Sequence, residues 1–157
     1  MKKHFIFSRF LSTGVNENNF MLFELAQYMA VFYYNMRAVH FRTIGTNFLE
    51  LHEYSQELYE QAEEFYDDLI ETSISFEEPI TPMYVTPGGW IPEKWDYNRT
   101  KEDSINLIKN SVHRIYDYLE SIDKQHYPSF VYSKIDSMLE YFDKQNYKIT
   151  QMDKEIL

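Results

Sequence analysis

A chain of 157 residues is long enough for one domain with a real core. It has no cysteine, which excludes disulfides and thiolate metal sites, and its formal charge of −10 leaves little Lys or Arg to displace the counterions of a nucleic acid. With 14 Tyr and 12 Phe, its helix contacts are expected to be filled by rings rather than by Leu and Val.

Met1-Lys-Lys-His-Phe-Ile-Phe is too short in its apolar part for a secretory signal, and Arg9 follows it. A first helix is expected over roughly Glu17 to Phe41. Its apolar run from Phe20 to Val39 is interrupted by Glu24, Gln27, Asn35 and Arg37, the pattern of a buried bundle helix rather than a membrane span. The expectation is a soluble, cytoplasmic protein with no membrane partner. Gly45-Thr46-Asn47 then breaks the chain.

Asn47-Phe48-Leu49-Glu50 reads as a capping box opening a second helix that runs to about Thr72, with no Gly or Pro to interrupt it. Leu51, Ser55, Leu58, Ala62, Phe65 and Leu69 recur at three and four, forming one apolar stripe. Glu53, Glu57, Glu60, Glu64 and Asp68 fall roughly opposite. His52, Gln56, Glu63 and Asp67 line the boundary between the two faces, where a helix meets a second partner.

The connection 73–99 carries four of the five prolines together with Gly88-Gly89. So long a loop in one domain is expected to be ordered, with room for a short helix, and Trp90 and Trp95 are expected to anchor it. Thr100-Lys-Glu-Asp103 is a second capping box, opening a third helix with Ile105, Ile108, Val112, Ile115, Leu119 and Ile122 on its apolar stripe. After the Tyr127-Pro128-Ser129 break, a fourth helix is expected from Ser129 to about Glu155. The whole, residues 1–157, reads as a single all-α domain. It is a four-helix bundle whose one long connection, between the second and third helices, resembles the crossover of ferritin-like bundles.

The residues with chemistry lie around the second helix. His40 and His52 stand twelve residues apart across the Gly45 break, and Asp67 and Glu71 lie one turn from each other. Imidazole and carboxylate are ligands a ferrous ion accepts. Asp67 is fifteen residues past His52, about 22 Å along a helix, too far for one ion to touch both. Either the two groups are unrelated, or a second copy of the helix runs antiparallel about a two-fold axis near its middle. His113 and His126 have no partners at useful spacing and read as structural, and His4 is uninformative.

In these residues the chain resembles the Dps family, the miniferritins that protect DNA during starvation. That family's signature runs His-Trp-Asn, Gly, Asn-Phe, Leu-His-Glu, then Asp and Glu near the end of the second helix. Here it stands as His40-Phe41-Arg42, Gly45, Asn47-Phe48, Leu51-His52-Glu53, Asp67 and Glu71, without a gap across about thirty residues. The resemblance implies a ferroxidase site between two-fold related subunits, oxidising Fe(II), usually with hydrogen peroxide, at a pair of irons. It implies a homo-oligomer, a hollow dodecamer storing iron, with His40, His52, Asp67 and Glu71 as iron ligands.

The chain departs from the pattern at two positions. Where the family has a third carboxylate, four residues after the second histidine, this chain has Gln56, whose neutral carbonyl oxygen is a weaker ligand for a hard cation. The usual Trp after the first histidine is Phe41. Family members that bind DNA commonly use lysine-rich tails, and this chain has no such segment, so DNA binding is not expected. The competing expectation is a non-catalytic protein of the same fold that acts through protein–protein contact, its iron site degraded at Gln56.

Overall fold

The computed structural model describes residues 21–78, 86, 88–123 and 127–154. Four helices account for most of them: α1 (Met21–Arg42), α2 (Phe48–Ser75), α3 (Lys101–Ser121) and α4 (Ser129–Lys154). Among the described residues there is no strand, only an isolated bridge between Thr43 and Arg99. The expected start of the first helix at Glu17, the N-terminal segment with His4, His126 and Glu155 lie outside the described residues. No helix among the described residues is long and apolar enough to cross a membrane.

The apolar stripes form the core. On α2, Leu51, Ser55, Leu58, Ala62 and Leu69 are buried, and Phe65 packs against them. On α3, Ile105, Ile108, Val112, Ile115 and Leu119 are buried; Ile122, just past the helix end, closes the same stripe. Each fully buried Leu, Ile or Met side chain contributes roughly 1.5–3 kcal/mol of transfer free energy. Rings fill the contacts between helices: Phe32 of α1 meets Phe142 of α4 edge-on at 5.2 Å, and Tyr28 of α1 stacks on Tyr118 of α3 at 4.1 Å.

Side-chain pairs fix the helix directions. On α1 and α3, Glu24 meets Tyr118 and Asn35 meets Ser111, and Thr43 just past α1 meets Ser104, so these helices are antiparallel. On α1 and α2, Tyr33 meets Tyr59 and His40 meets His52, again antiparallel. It follows that α2 and α3 run in the same direction.

The polar interruptions of α1 have partners. Asn35, 1% exposed, donates to Ser111 Oγ at 3.2 Å and accepts the Glu93 amide at 2.8 Å, which ties the connection to the helix. Trp95 Nε1 donates to the Tyr34 carbonyl at 3.1 Å, and the Trp90 ring sits 5.8 Å from Tyr28 under Arg114. Both tryptophans anchor the connection as expected. The short helix is not found among its described residues.

Caps differ at the two predicted boxes. Thr100 accepts the Asp103 amide at 3.1 Å as expected. Asn47 makes no side-chain cap. Its Oδ1 takes the Thr46 hydroxyl at 3.3 Å and its amide reaches Glu50 at 3.3 Å, so the oxygen a cap requires is turned away.

At the far end of α2, Glu77 adopts a left-handed φ of 57°, rare for a residue with a Cβ. The turn carries Glu78 inward, 8% exposed, with Oε1 accepting the Tyr127 hydroxyl at 2.6 Å and Oε2 left without a partner. Burial pushes its carboxyl from 4.5 up to about 7. The folded chain therefore keeps a proton that the unfolded chain gives up across pH 4.5 to 7, and stability falls as pH rises through that window. In the Glu78→Gln variant the amide oxygen still accepts from Tyr127 and nothing ionises. Its thermal stability at pH 8 is expected to exceed the parent's, with a gain on the order of 2 kcal/mol. A melting temperature that falls as steeply with pH in the variant as in the parent would show that Glu78 is not the group responsible.

Candidate metal centre

The last turn of α1 and the first turns of α2 are held together by the Thr43–Asn47 link. Gly45 makes the reversal with φ 103°, a conformation other residues adopt only with strain. The link is fastened from the side: Ile44 N donates to Arg99 O at 2.9 Å, Arg99 N to Arg42 O at 2.7 Å, and the Thr43 and Ser104 hydroxyls lie 2.7 Å apart. This clamp sets the approach of the two helices where the histidines stand.

His40 and His52 meet there as a reciprocal pair. Their rings stack with centroids 3.6 Å apart and planes 21° from parallel. Each Nδ1 lies 2.9 Å from the other residue's backbone carbonyl oxygen. A carbonyl only accepts, so both Nδ1 atoms carry a proton, and Nε2 is the nitrogen of each ring left for a ligand. The His40 carbonyl is one of the carbonyls that a helix end leaves unbonded, so the pairing satisfies a donor and an orphan acceptor together. Holding Nδ1–H on a backbone carbonyl is also how ligating histidines are oriented in metal sites.

Burial depresses the basicity of His40, which is 6% exposed; the bond to His52 opposes the shift, while charge at His52 and Arg37 adds to it. The ring is thus neutral at neutral pH, and its Nε2 is available. Aromatic rings wall the pair. Tyr59 stands perpendicular to His40 at 5.3 Å, Phe41 at 4.9 Å, and Phe48 leans on His52 at 4.9 Å. The Arg37 guanidinium lies over Tyr33, Phe41 and Tyr59 at 5.4, 5.0 and 4.9 Å.

The other expected ligands are not beside this pair within one chain. Gln56 is exposed one turn beyond His52, with Nε2 donating to Glu60 Oε1 at 2.8 Å. A carboxylate only accepts, so Glu60 takes the amide end and leaves the Gln56 carbonyl oxygen free. Asp67 and Glu71 are exposed farther along α2. Among the described residues, no three His, Cys, Asp or Glu side chains gather where they could hold one ion.

Sequence reasoning found the two histidines and missed three neighbours: Tyr59, Glu60 and Arg37. Tyr59 lies seven residues past His52, two helical turns, and Arg37 three before His40, so the helical period was a usable signal for both. His113, read as structural, bonds Asn146 at 2.6 Å. No protein-family model and no curated protein matches the chain.

Proposed function

We propose that this chain is a Dps-like miniferritin that oxidises Fe(II) at a site shared between two copies and stores the product in an oligomeric shell. The reciprocal His40–His52 pair carries the reading: two stacked imidazoles, each with Nδ1 held on backbone, which leaves Nε2 of each ring as the ligating nitrogen. The parallel run of α2 and α3, joined by a long connection, supports a ferritin-like bundle with its crossover there.

Fe(II) is the substrate. Two imidazoles from one chain and Asp67 and Glu71 from another give a nitrogen–carboxylate set suited to ferrous and ferric iron. Two Fe(II) give one electron each to one hydrogen peroxide, which leaves as two hydroxides. The chain's part is to hold the ions adjacent, keep the His40 imidazole neutral and supply negative charge that favours the ferric product. The acidic balance of the chain draws cations to such a shell and does not suit a DNA partner.

The test is to add Fe(II) and peroxide anaerobically and follow ferric absorbance, with a size-exclusion mass on the same sample. Fast oxidation in a particle of dodecamer size supports the reading; oxidation no faster than buffer sinks it. Gln56→Asp adds one negative charge a helical turn from His52, and iron affinity is expected to rise on the order of tenfold. No change in binding or rate would place residue 56 outside the site.

A second reading is favoured by Gln56 and by the exposed rings near the histidines. Tyr34, Phe41 and Trp95 are 48%, 52% and 37% exposed and pack on one another at 6.1 and 5.8 Å. A protein partner could dock there without any iron chemistry. That protein would be a monomer or dimer, and His52→Ala would leave its function intact.

A further inference from the structure

The end of the bundle opposite the histidines holds a second set of groups, which the proposed reaction does not use. Because α1 is antiparallel to both α2 and α3, its first described turn lies with the ends of those two helices. Glu24 stands there on α1, Glu78 just past α2, Tyr118 in the last turn of α3 and Tyr127 beyond it. The turn at Glu77 folds the chain back, and the Glu78 amide donates to Ser73 O at 3.0 Å. Each carboxylate accepts one tyrosine hydroxyl: Glu24 from Tyr118 at 3.1 Å, Glu78 from Tyr127 at 2.6 Å. Leu22, two residues before Glu24, turns its amide toward both the Glu78 carboxylate and the Tyr127 hydroxyl, and charge on Glu24 acts on Glu78. The two acids therefore share one corner of the bundle.

Neither acid has a countercharge. Among the described residues no Lys, Arg or His forms a salt bridge with either, and no basic group lowers the pKa of either. Glu78 is 8% exposed, and its Oε2 has no hydrogen-bond partner. The Ser73 hydroxyl is near enough to favour the charged carboxylate, but it donates to Leu69 O at 2.8 Å. A proton does not answer this orphan: on Oε2 it turns an acceptor without a donor into a donor without an acceptor. A cation does, since it meets the lone pair directly and offsets both charges. The donors are all oxygen, carboxylate and phenol, which suits a hard cation. Ca(II) accepts irregular oxygen shells completed by water, whereas Mg(II) demands an octahedron; Glu24 is partly exposed, so water reaches the corner from its side.

We propose that Glu24 and Glu78 hold a divalent cation of the calcium class, bound through Glu78 Oε2 and the Glu24 carboxylate. The ion fastens the first described turn of α1 to the turn that follows α2. This site is separate from the histidine pair and stands whether or not the chain oxidises iron.

The test is thermal melting at pH 8, in chelator and then with calcium. At calcium about 100 times its dissociation constant, the parent's transition is expected to rise by roughly 5–10 °C. Glu78→Gln and Glu24→Gln each keep an acceptor for the tyrosine hydroxyl, so both fold, and each is expected to lose most of that rise. Asp67→Asn, on the exposed part of α2, is expected to keep it. Calorimetric titration gives a second reading: Glu78→Gln is expected to bind one calcium fewer per chain than the parent. A parent whose transition ignores calcium holds only a proton or a water at Glu78, and the proposal fails. An equal rise in both Gln variants assigns the effect to the acidic surface and overturns it. So does loss of the rise in Asp67→Asn alone, which moves the ion to the acids of α2.

Discussion

His52→Ala is expected to reduce Fe(II) oxidation at least about 100-fold, since loss of groups that merely orient ligands already costs metal sites 10–100-fold in affinity or activity. The substitution removes one of the two Nε2 donors outright. It also deprives the His40 carbonyl of its hydrogen bond, while His40 Nδ1 keeps an acceptor in the carbonyl of residue 52. The remaining imidazole therefore stays in the ligating tautomer, and the loss reports the missing ligand rather than a general disorder of the site. His52 is only half-buried, so the fold tolerates its truncation. His113→Ala is the control: it breaks the bond to Asn146 on the other helix pair and leaves oxidation unchanged. An oxidation rate in His52→Ala equal to the parent's would detach the histidine pair from iron and leave the protein-partner reading standing.

The helices were legible because their apolar periods are long and uninterrupted. α2 was expected from Asn47 to Thr72 and spans Phe48–Ser75; α4 was expected from Ser129 and begins there. The Asn47 cap was not legible. The residue type suits a cap, but the neighbouring Thr46 hydroxyl competes for the same oxygen, and composition does not say which bond wins. The histidine spacing gave a candidate pair and no more. Whether rings twelve residues apart stack or diverge depends on the reversal at Gly45 and on Arg99 fastening it from a distant part of the chain. Glu78 was silent for a similar reason: one left-handed residue, Glu77, turns what looks like part of an acidic surface run into a buried carboxyl. The polar boundary on α2 was read through His52, Gln56, Glu63 and Asp67.

The largest effect on stability is expected at Phe142. Its side chain is fully buried and meets Phe32 of α1 edge-on at 5.2 Å, Phe65 of α2 at 6.2 Å and Tyr141 beside it at 5.2 Å. It is where α4 joins the α1–α2 pair. Phe142→Ala removes the ring's transfer free energy and leaves a cavity lined by rings that relax little, at a cost of about 3–5 kcal/mol. For a chain of this size that lowers the melting temperature by roughly 10 °C. The histidine pair should not share the loss, because the contacts that form it come from α1, α2 and the link between them. Co(II) affinity, measured well below the melting transition, is therefore expected to match the parent's while the transition itself moves down. A shift of under about 1 kcal/mol would mean the site collapses around the smaller side chain or that the ring is not where α4 docks. Loss of metal binding in a still-folded variant would mean that α4 packing, and not the Gly45 reversal, sets the distance between His40 and His52.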